Sequence, residues 1–276
     1  MTDETTADKS LGQHWLTDSV SLDAICDSAD LEPGGTVLEI GPGQGSLTSV
    51  LLARGVQVIG VELDERLAAE LRQKFTNLPF TLNMLSILDF DLSSLPVDYK
   101  IVANIPYYLT AHLLRMLSET PHKPQLAVLL VQKEVAERVA AQPGTMSTIS
   151  VAIQLEYQVS LGQLVPARLF TPPPKVNSQV LIMKQRTEPL FADINKKAFL
   201  RLVKAGFANR RKTLLNSLSA GLRLSKPEVN QLLEQANILP SVRAQELSLN
   251  DWHRLYLVES RKRYTKMRLG GHKLGS

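Results

Sequence analysis

Short apolar runs alternate with amphipathic stretches through the first two thirds of the chain. Residues 36–40 (Thr-Val-Leu-Glu-Ile) form a strand-like run that ends in a glycine turn, and residues 46–54 carry helical periodicity closed by Gly55. Residues 57–62 (Gln-Val-Ile-Gly-Val-Glu) predict a second strand, and Leu67, Leu71 and Phe75 set the apolar face of a helix over 64–75. Further strands are expected over 80–84, 100–103 and 126–131, with helices over 111–117 and 133–141, the last closed by Pro143-Gly144. Strands alternating with helices at this spacing predict an α/β fold built on a parallel, doubly wound sheet.

The pattern changes near residue 187. Residues 179–184 predict a last strand, and beyond Pro189 the chain reads as helical. Apolar positions recur at Phe199, Leu202, Val203 and Phe207, then at Leu214, Leu215 and Leu218, with the polar run Asn209-Arg210-Arg211-Lys212-Thr213 as a break between them. Two more helices are expected over 226–235 and 249–263, and the basic, glycine-containing tail 265–276 is expected to lack stable structure. The expected division is therefore a catalytic domain over 1–186, a small all-helical domain over 187–264 and a tail.

Charge sharpens this division. Residues 187–276 hold 17 Lys and Arg against 7 Asp and Glu, a net of +10, whereas residues 1–186 carry −6. A basic element following an acidic body suits a polyanion, although a solvated basic helical surface has the same composition. Cys26 is the single cysteine, which excludes an internal disulfide and a cysteine-based metal site and fits a reducing cytoplasm. The five histidines show no ligand spacing, so no metal is expected. No apolar stretch approaches the ~18 residues of a membrane span, and residues 1–9 lack the apolar core of a signal peptide.

Two motifs carry chemistry. Gly41-Pro42-Gly43-Gln44-Gly45 follows a strand and opens a helix, where glycine permits left-handed backbone and leaves room for a ligand. The spacing is Gly-x-Gly-x-Gly, not the Gly-x-Gly-x-x-Gly of dinucleotide sites, and Glu39 stands just before it. An acid there repels a pyrophosphate but suits an ammonium, which favours the methionine end of S-adenosylmethionine over NAD. Glu62 ends the second strand and is placed to accept hydrogen bonds from both ribose hydroxyls; Asp64 and Glu65 are the rival acids.

The second motif, Asn104-Ile105-Pro106-Tyr107, leaves the carboxyl end of an apolar strand. An adenine amino group is a poor nucleophile because its lone pair is delocalised into the ring. The Asn104 side-chain oxygen and the Pro106 carbonyl would each accept one of its N–H groups, and Tyr107 would stack on the base. Pro106 pre-shapes the loop. Tyr108 is either part of this site or a core residue.

These motifs, with Leu11-Gly12-Gln13-His14-Trp15-Leu16, residues 131–138 (Val-Gln-Lys-Glu-Val-Ala-Glu-Arg), residues 170–178 (Phe-Thr-Pro-Pro-Pro-Lys-Val-Asn-Ser) and residues 207–214 (Phe-Ala-Asn-Arg-Arg-Lys-Thr-Leu), make the chain resemble the bacterial small-subunit rRNA adenine N6,N6-dimethyltransferases. The resemblance runs from about Lys9 to about Leu218. It implies a Rossmann-like, S-adenosylmethionine-dependent methyltransferase with a small C-terminal all-helical domain. The expected activity is dimethylation of two adjacent adenosines in a hairpin loop near the 3′ end of small-subunit (16S) rRNA, within an assembling pre-30S particle. A cytoplasmic monomer is expected.

By position, the resemblance implies cofactor contacts from His14, Leu16, Gly41 and Glu62, with Asn104 at the reaction centre against cofactor and adenine alike; Glu39 and Gly43 join them from the glycine-turn reading. It implies that Phe170 flanks the flipped adenine opposite Tyr107, a position otherwise readable as core. Ser86 stands where the family usually carries an aspartate for the cofactor's adenine amino group; Asp89 takes the role if the segment slips by three residues. Trp15 replaces a phenylalanine common in the family. Arg210, Arg211 and Lys212 are expected on rRNA phosphates, with a solvated helix start as the alternative. A DNA adenine N6-methyltransferase and a non-catalytic ribosome-assembly factor are the rival functions.

Overall fold

The computed structural model describes residues 14–270 and begins with a two-residue strand, β1 (Trp15–Leu16), and helix α1 (Ser19–Asp27). The expected alternation follows: β2 (Thr36–Ile40), α2 (Ser46–Ala53), β3 (Gln57–Glu62), α3 (Glu65–Lys74), β4 (Phe80–Met84), β5 (Lys100–Asn104), α4 (Tyr107–Glu119), β6 (Leu126–Gln132) and α5 (Lys133–Val139). Helix α6 (Thr148–Glu156) runs directly into β7 (Tyr157–Val165), followed by β8 (Phe170–Thr171) and β9 (Ser178–Gln185). Helices α7 (Lys196–Phe207), α8 (Leu214–Leu222), α9 (Lys226–Gln235) and α10 (Leu249–Gly270) complete the described residues. Residues 11–13 and 271–276, singled out in the sequence, lie outside the described residues.

Seven strands form one sheet in the order β4-β3-β2-β5-β6-β9-β7. β2 to β6 pair in parallel, whereas β9 runs antiparallel to β6 and β7 antiparallel to β9. The sheet is therefore mixed, not all parallel as expected. Its parallel strands are legible because burial on both faces makes them continuous apolar runs, as in β6. Edge strand β7 alternates polar and apolar residues and carries exposed Leu161 and Leu164, so it lacks that signal. β1 and β8 form a separate two-stranded ladder, with Leu16 opposite Phe170.

The chain winds outward from β2 through β3 to β4, then returns to place β5 on the other side of β2. Crossovers pointing in opposite directions leave a crevice at the carboxyl ends of the two central strands, where ligands bind in such sheets.

The contacts divide the chain into two units. One comprises the chain to Ala140 and Tyr157–Thr187; the other comprises Ala141–Glu156 and the chain from Glu188. The expected boundary at 186/187 therefore misses one insertion: α6 belongs with the C-terminal helices. Its Val151 and Leu155, with Ala141 and Met146, share a core with Phe199, Leu202, Leu218, Leu233 and Trp252. Ile149, Val151, Ile153 and Leu155 alternate at period two, which hides the helix from a periodicity reading. Helix α10 also continues to Gly270, into the segment expected to be an unstructured tail. No helix among the described residues is long and apolar enough to cross a membrane.

Gly45, the residue before α2, has φ of 77°, and a Cβ there would lie 2.6 Å from the Phe75 ring and 2.9 Å from Leu71, both buried. Gly45→Ala is expected to destabilise the protein by about 2–4 kcal/mol, combining left-handed strain with overpacking. Urea unfolding measures this, and a variant as stable as the parent would show that the turn can relax.

Candidate active site

The crevice is lined by residues from four places: the segment through β1, the glycine turn after β2, the end of β3, and the segment after β5, with Phe170 of β8 also in its wall. Gly41 and Gly43 have φ of 65° and 58°, so both adopt left-handed backbone that a side chain would strain. The Gly41 N–H donates to the Val61 carbonyl at 2.9 Å, which ties the turn to β3. A Cβ on Gly43 would come within 3.4 Å of the Trp15 ring, so the indole closes one side of the turn. The Trp15 Nε1–H is buried and has no hydrogen-bond partner.

Glu62 lies in this crevice, and the rival acids do not. Its carboxylate accepts the Gly43 N–H at 3.2 Å through Oε2, and the Leu63 and Asp64 N–H groups at 2.9 Å and 3.0 Å through Oε1. Asp64 instead caps α3, accepting from Arg66 and Leu67, and Glu65 is an exposed first-turn residue. Glu39 lines the crevice from beneath, only 1% exposed, and its Oε2 accepts the Thr48 hydroxyl at 2.6 Å. Burial pushes its carboxyl up to about 8; the Thr48 bond pulls it down and the Glu62 charge adds to the rise. Thr48 had no sequence signal beyond its place in the first turn of α2.

On the β5 side, the Asn104 Nδ2 donates to the His14 carbonyl at 3.1 Å. That bond holds the amide and leaves Oδ1 as the acceptor. The His14 Nδ1 donates to the Pro172 carbonyl at 2.7 Å, and its ring lies 5.6 Å from that of Tyr107. The Pro106 carbonyl already accepts the Leu109 N–H at 2.9 Å and the Thr110 hydroxyl at 3.5 Å as α4 begins, the second bond being long enough to yield to a better donor. The Tyr107 and Ser178 hydroxyls share a 2.9 Å hydrogen bond, and burial holds the Tyr107 phenol above its usual range, so it stays neutral. Leu16 and Phe170 are each 3% exposed. Phe170 is thus both a wall of the crevice and part of the core beneath it.

His14, Leu16, Glu39, Gly41, Gly43, Glu62, Asn104, Pro106, Tyr107 and Phe170 therefore come together around one crevice. Ser86 does not line it. It stands two residues beyond β4, on the same edge of the sheet, and its Oγ accepts the Leu88 N–H at 3.2 Å. Asp89 is exposed, three residues on. Arg210, Arg211 and Lys212 belong to the C-terminal unit and occupy an exposed turn between α7 and α8. Tyr108 is not a core residue: it is 55% exposed and belongs to the crevice lining, as does Leu63.

The fit to S-adenosylmethionine rests on two features. The glycine turn presents left-handed backbone without side chains, and a carboxylate stands at the end of the adjacent strand. Residues 4–259 match the family described as ribosomal RNA adenine dimethylase. A relative from a strain of Dehalococcoides mccartyi, named ribosomal RNA small subunit methyltransferase A, is 41% identical over 256 residues, covering 91% of this chain and 88% of its own. A crystal structure of a dimethyladenosine transferase from Plasmodium falciparum is similar with a TM-score of 0.76 at 26% identity, over 90% of this chain and 98% of that one. The 23S rRNA methyltransferase ErmE gives a TM-score of 0.73 at 28% identity, over 88% and 98% of the two chains.

Glu39 yields a pH-dependent outcome. Its folded value of about 8 lies above the ordinary 4.5, so the native state holds a proton that the unfolded state loses. Its contribution to stability is complete below the ordinary value and is lost as pH rises through about 8. Glu39→Gln should therefore gain stability relative to the parent as pH rises between about pH 5 and pH 9, measured by urea unfolding without cofactor. A pH-independent difference would mean that Glu39 is ionised in the fold.

Proposed function

The chain belongs to the ribosomal RNA adenine dimethylase family, and from that premise we propose how its crevice performs the reaction. The protein is an S-adenosylmethionine-dependent rRNA adenine dimethyltransferase. Membership decides against both rivals, a DNA adenine methyltransferase and a non-catalytic assembly factor. Our reading extends to its substrate: two adjacent adenosines in a hairpin loop near the 3′ end of 16S rRNA, methylated on an assembling pre-30S particle. The name of its relatives, which specifies the small subunit, supports this. We read the enzyme as a cytoplasmic monomer.

The observation that carries the mechanism is the anchored amide of Asn104. With Nδ2 donating to the His14 carbonyl, Oδ1 is set to accept a hydrogen bond from the adenine amino group. The Pro106 carbonyl accepts the second N–H, in place of its long bond from the Thr110 hydroxyl. Two acceptors on one nitrogen draw its N–H bonds out of conjugation with the ring, which returns lone-pair density to nitrogen. Both contacts strengthen as that nitrogen becomes tetrahedral, so they favour the transition state over the ground state. Tyr107 and Phe170 flank the adenine ring; the Tyr107–Ser178 bond holds one face in position. None of the flanking groups needs to act as a base, because the proton becomes acidic once nitrogen carries positive charge.

Bound S-adenosylmethionine supplies an electrophilic methyl group on its sulfonium. In our reading Gly41 and Gly43 give its methionine portion backbone access, beside His14 and Leu16, and Glu62 accepts its ribose hydroxyls. Three backbone N–H groups already occupy the Glu62 carboxylate, so its longest bond, 3.2 Å from Gly43, is the one to yield. Glu39 faces the ammonium end as a buried acid; a cation there favours its ionised form, so binding releases a proton near neutral pH. Ser86 stands outside the crevice lining but on the same sheet edge, beyond β4, and in our reading the cofactor's adenine extends that far and gives it one neutral hydrogen bond. Arg210, Arg211 and Lys212 contact rRNA phosphates; their exposure and the +10 charge of residues 187–276 support this.

Asn104→Ala is expected to lower single-turnover methylation of undermethylated small subunits about 10²–10³-fold, with cofactor affinity much less affected. Single-turnover kinetics beside calorimetric cofactor titration measures both; near-normal turnover would remove Asn104 from the mechanism. Arg210→Ala combined with Arg211→Ala should weaken small-subunit binding and flatten the slope of log affinity against log salt by about one unit per lost contact. Filter binding across salt concentrations checks this, with melting as the control for folding. An unchanged slope would move the RNA surface elsewhere.

A further inference from the structure

Tyr108 has no role in the chemistry above, yet it lies at the mouth of the crevice. It is the second residue of α4, immediately after Tyr107. Successive residues of a helix point about 100° apart. Tyr107 turns towards Ser178 and His14, whereas Tyr108 is 55% exposed while still lining the crevice. An isolated exposed aromatic is ordinary on a protein surface. This one is set apart by its position beside the segment that receives the target base.

Sheet order shows which portion of the substrate it meets. Glycine-turn strand β2 lies between β3 and β5. Glu62 and Leu63 follow β3 on one flank; Asn104, Tyr107 and Tyr108 follow β5 on the other. Tyr108 therefore belongs to the acceptor flank. A base drawn into the crevice leaves its neighbour in the RNA without a stacking partner on that side. An aromatic face at the mouth replaces that lost stacking, as proteins commonly do for unpaired RNA bases.

We propose that Tyr108 is a positioning residue whose ring stacks on the nucleotide adjacent to the adenosine being methylated, holding the RNA strand at the crevice mouth. This rests on the reading of the crevice as an rRNA adenine site. Ring stacking, not the hydroxyl, is the working interaction, so phenylalanine should serve and alanine should not.

The test measures binding of the full-length protein to undermethylated small subunits, with chemical probing of the unpaired nucleotides flanking the methylated adenosines. Stacking of one base predicts that Tyr108→Ala binds about 5–100-fold more weakly, and that Tyr108→Phe stays within about twofold of the parent. Protection of a flanking nucleotide should persist with Tyr108→Phe and vanish with Tyr108→Ala, with melting temperature and cofactor affinity unchanged. Binding by Tyr108→Ala within about twofold of the parent, equal losses in both variants, or an unaltered protection pattern would each overturn the proposal. So would a Tyr108→Ala protein that loses cofactor binding or melts early, since that would make Tyr108 structural. If the parent protein transfers no methyl group to these subunits, the reading of the crevice fails first, and the two failures are distinguishable.

Discussion

Two neighbouring parallel strands, β2 and β5, start crossovers that run in opposite directions across the sheet, and a crevice opens at their carboxyl ends. The glycine turn and the Asn-Ile-Pro-Tyr segment, about sixty residues apart in the chain, become neighbours because of that reversal. The β1–β8 ladder then adds the third wall, since the His14 carbonyl just before it receives the Asn104 amide. The chemistry is distributed over chain segments that only the sheet order brings together.

Electrostatics within the crevice follow from depth. Glu62 is buried and accepts three backbone N–H groups, which fix its carboxyl oxygens in position. Glu39 lies deeper and has one hydroxyl donor, so its ionised form is costly until a cation approaches. The two acids thus differ in what they offer a ligand: one presents a fixed acceptor, the other a charge that appears on demand.

Much of this was legible in the sequence where one physical signal dominated. β2, β3, β5 and β6 read as strands because burial makes them apolar, and the choice of Glu62 over Asp64 followed from its place at a strand end. Signals failed where two requirements overlapped. Helix α6 carries β-branched residues at alternate positions, so only its packing against Phe199 and Trp252 identifies it as helix. β7 is an edge strand with a half-exposed face, and β1 and β8 are too short for any period. Side-chain depth was also hidden: nothing in the sequence near Glu39 places it beneath the turn, and nothing separates exposed Tyr108 from half-buried Tyr107.

The passage of the chain into the helical unit at Ala141, back out at Tyr157 and in again at Glu188 has a bearing on synthesis. Helix α6 leaves the ribosome before α7 to α10 exist, so Met146, Val151 and Leu155 wait for partners encoded more than forty residues later. A chain cut after Thr187 would keep those side chains and lose what covers them. No single cleavage therefore divides the two units, and a nascent chain must shield that apolar face until the later helices are made.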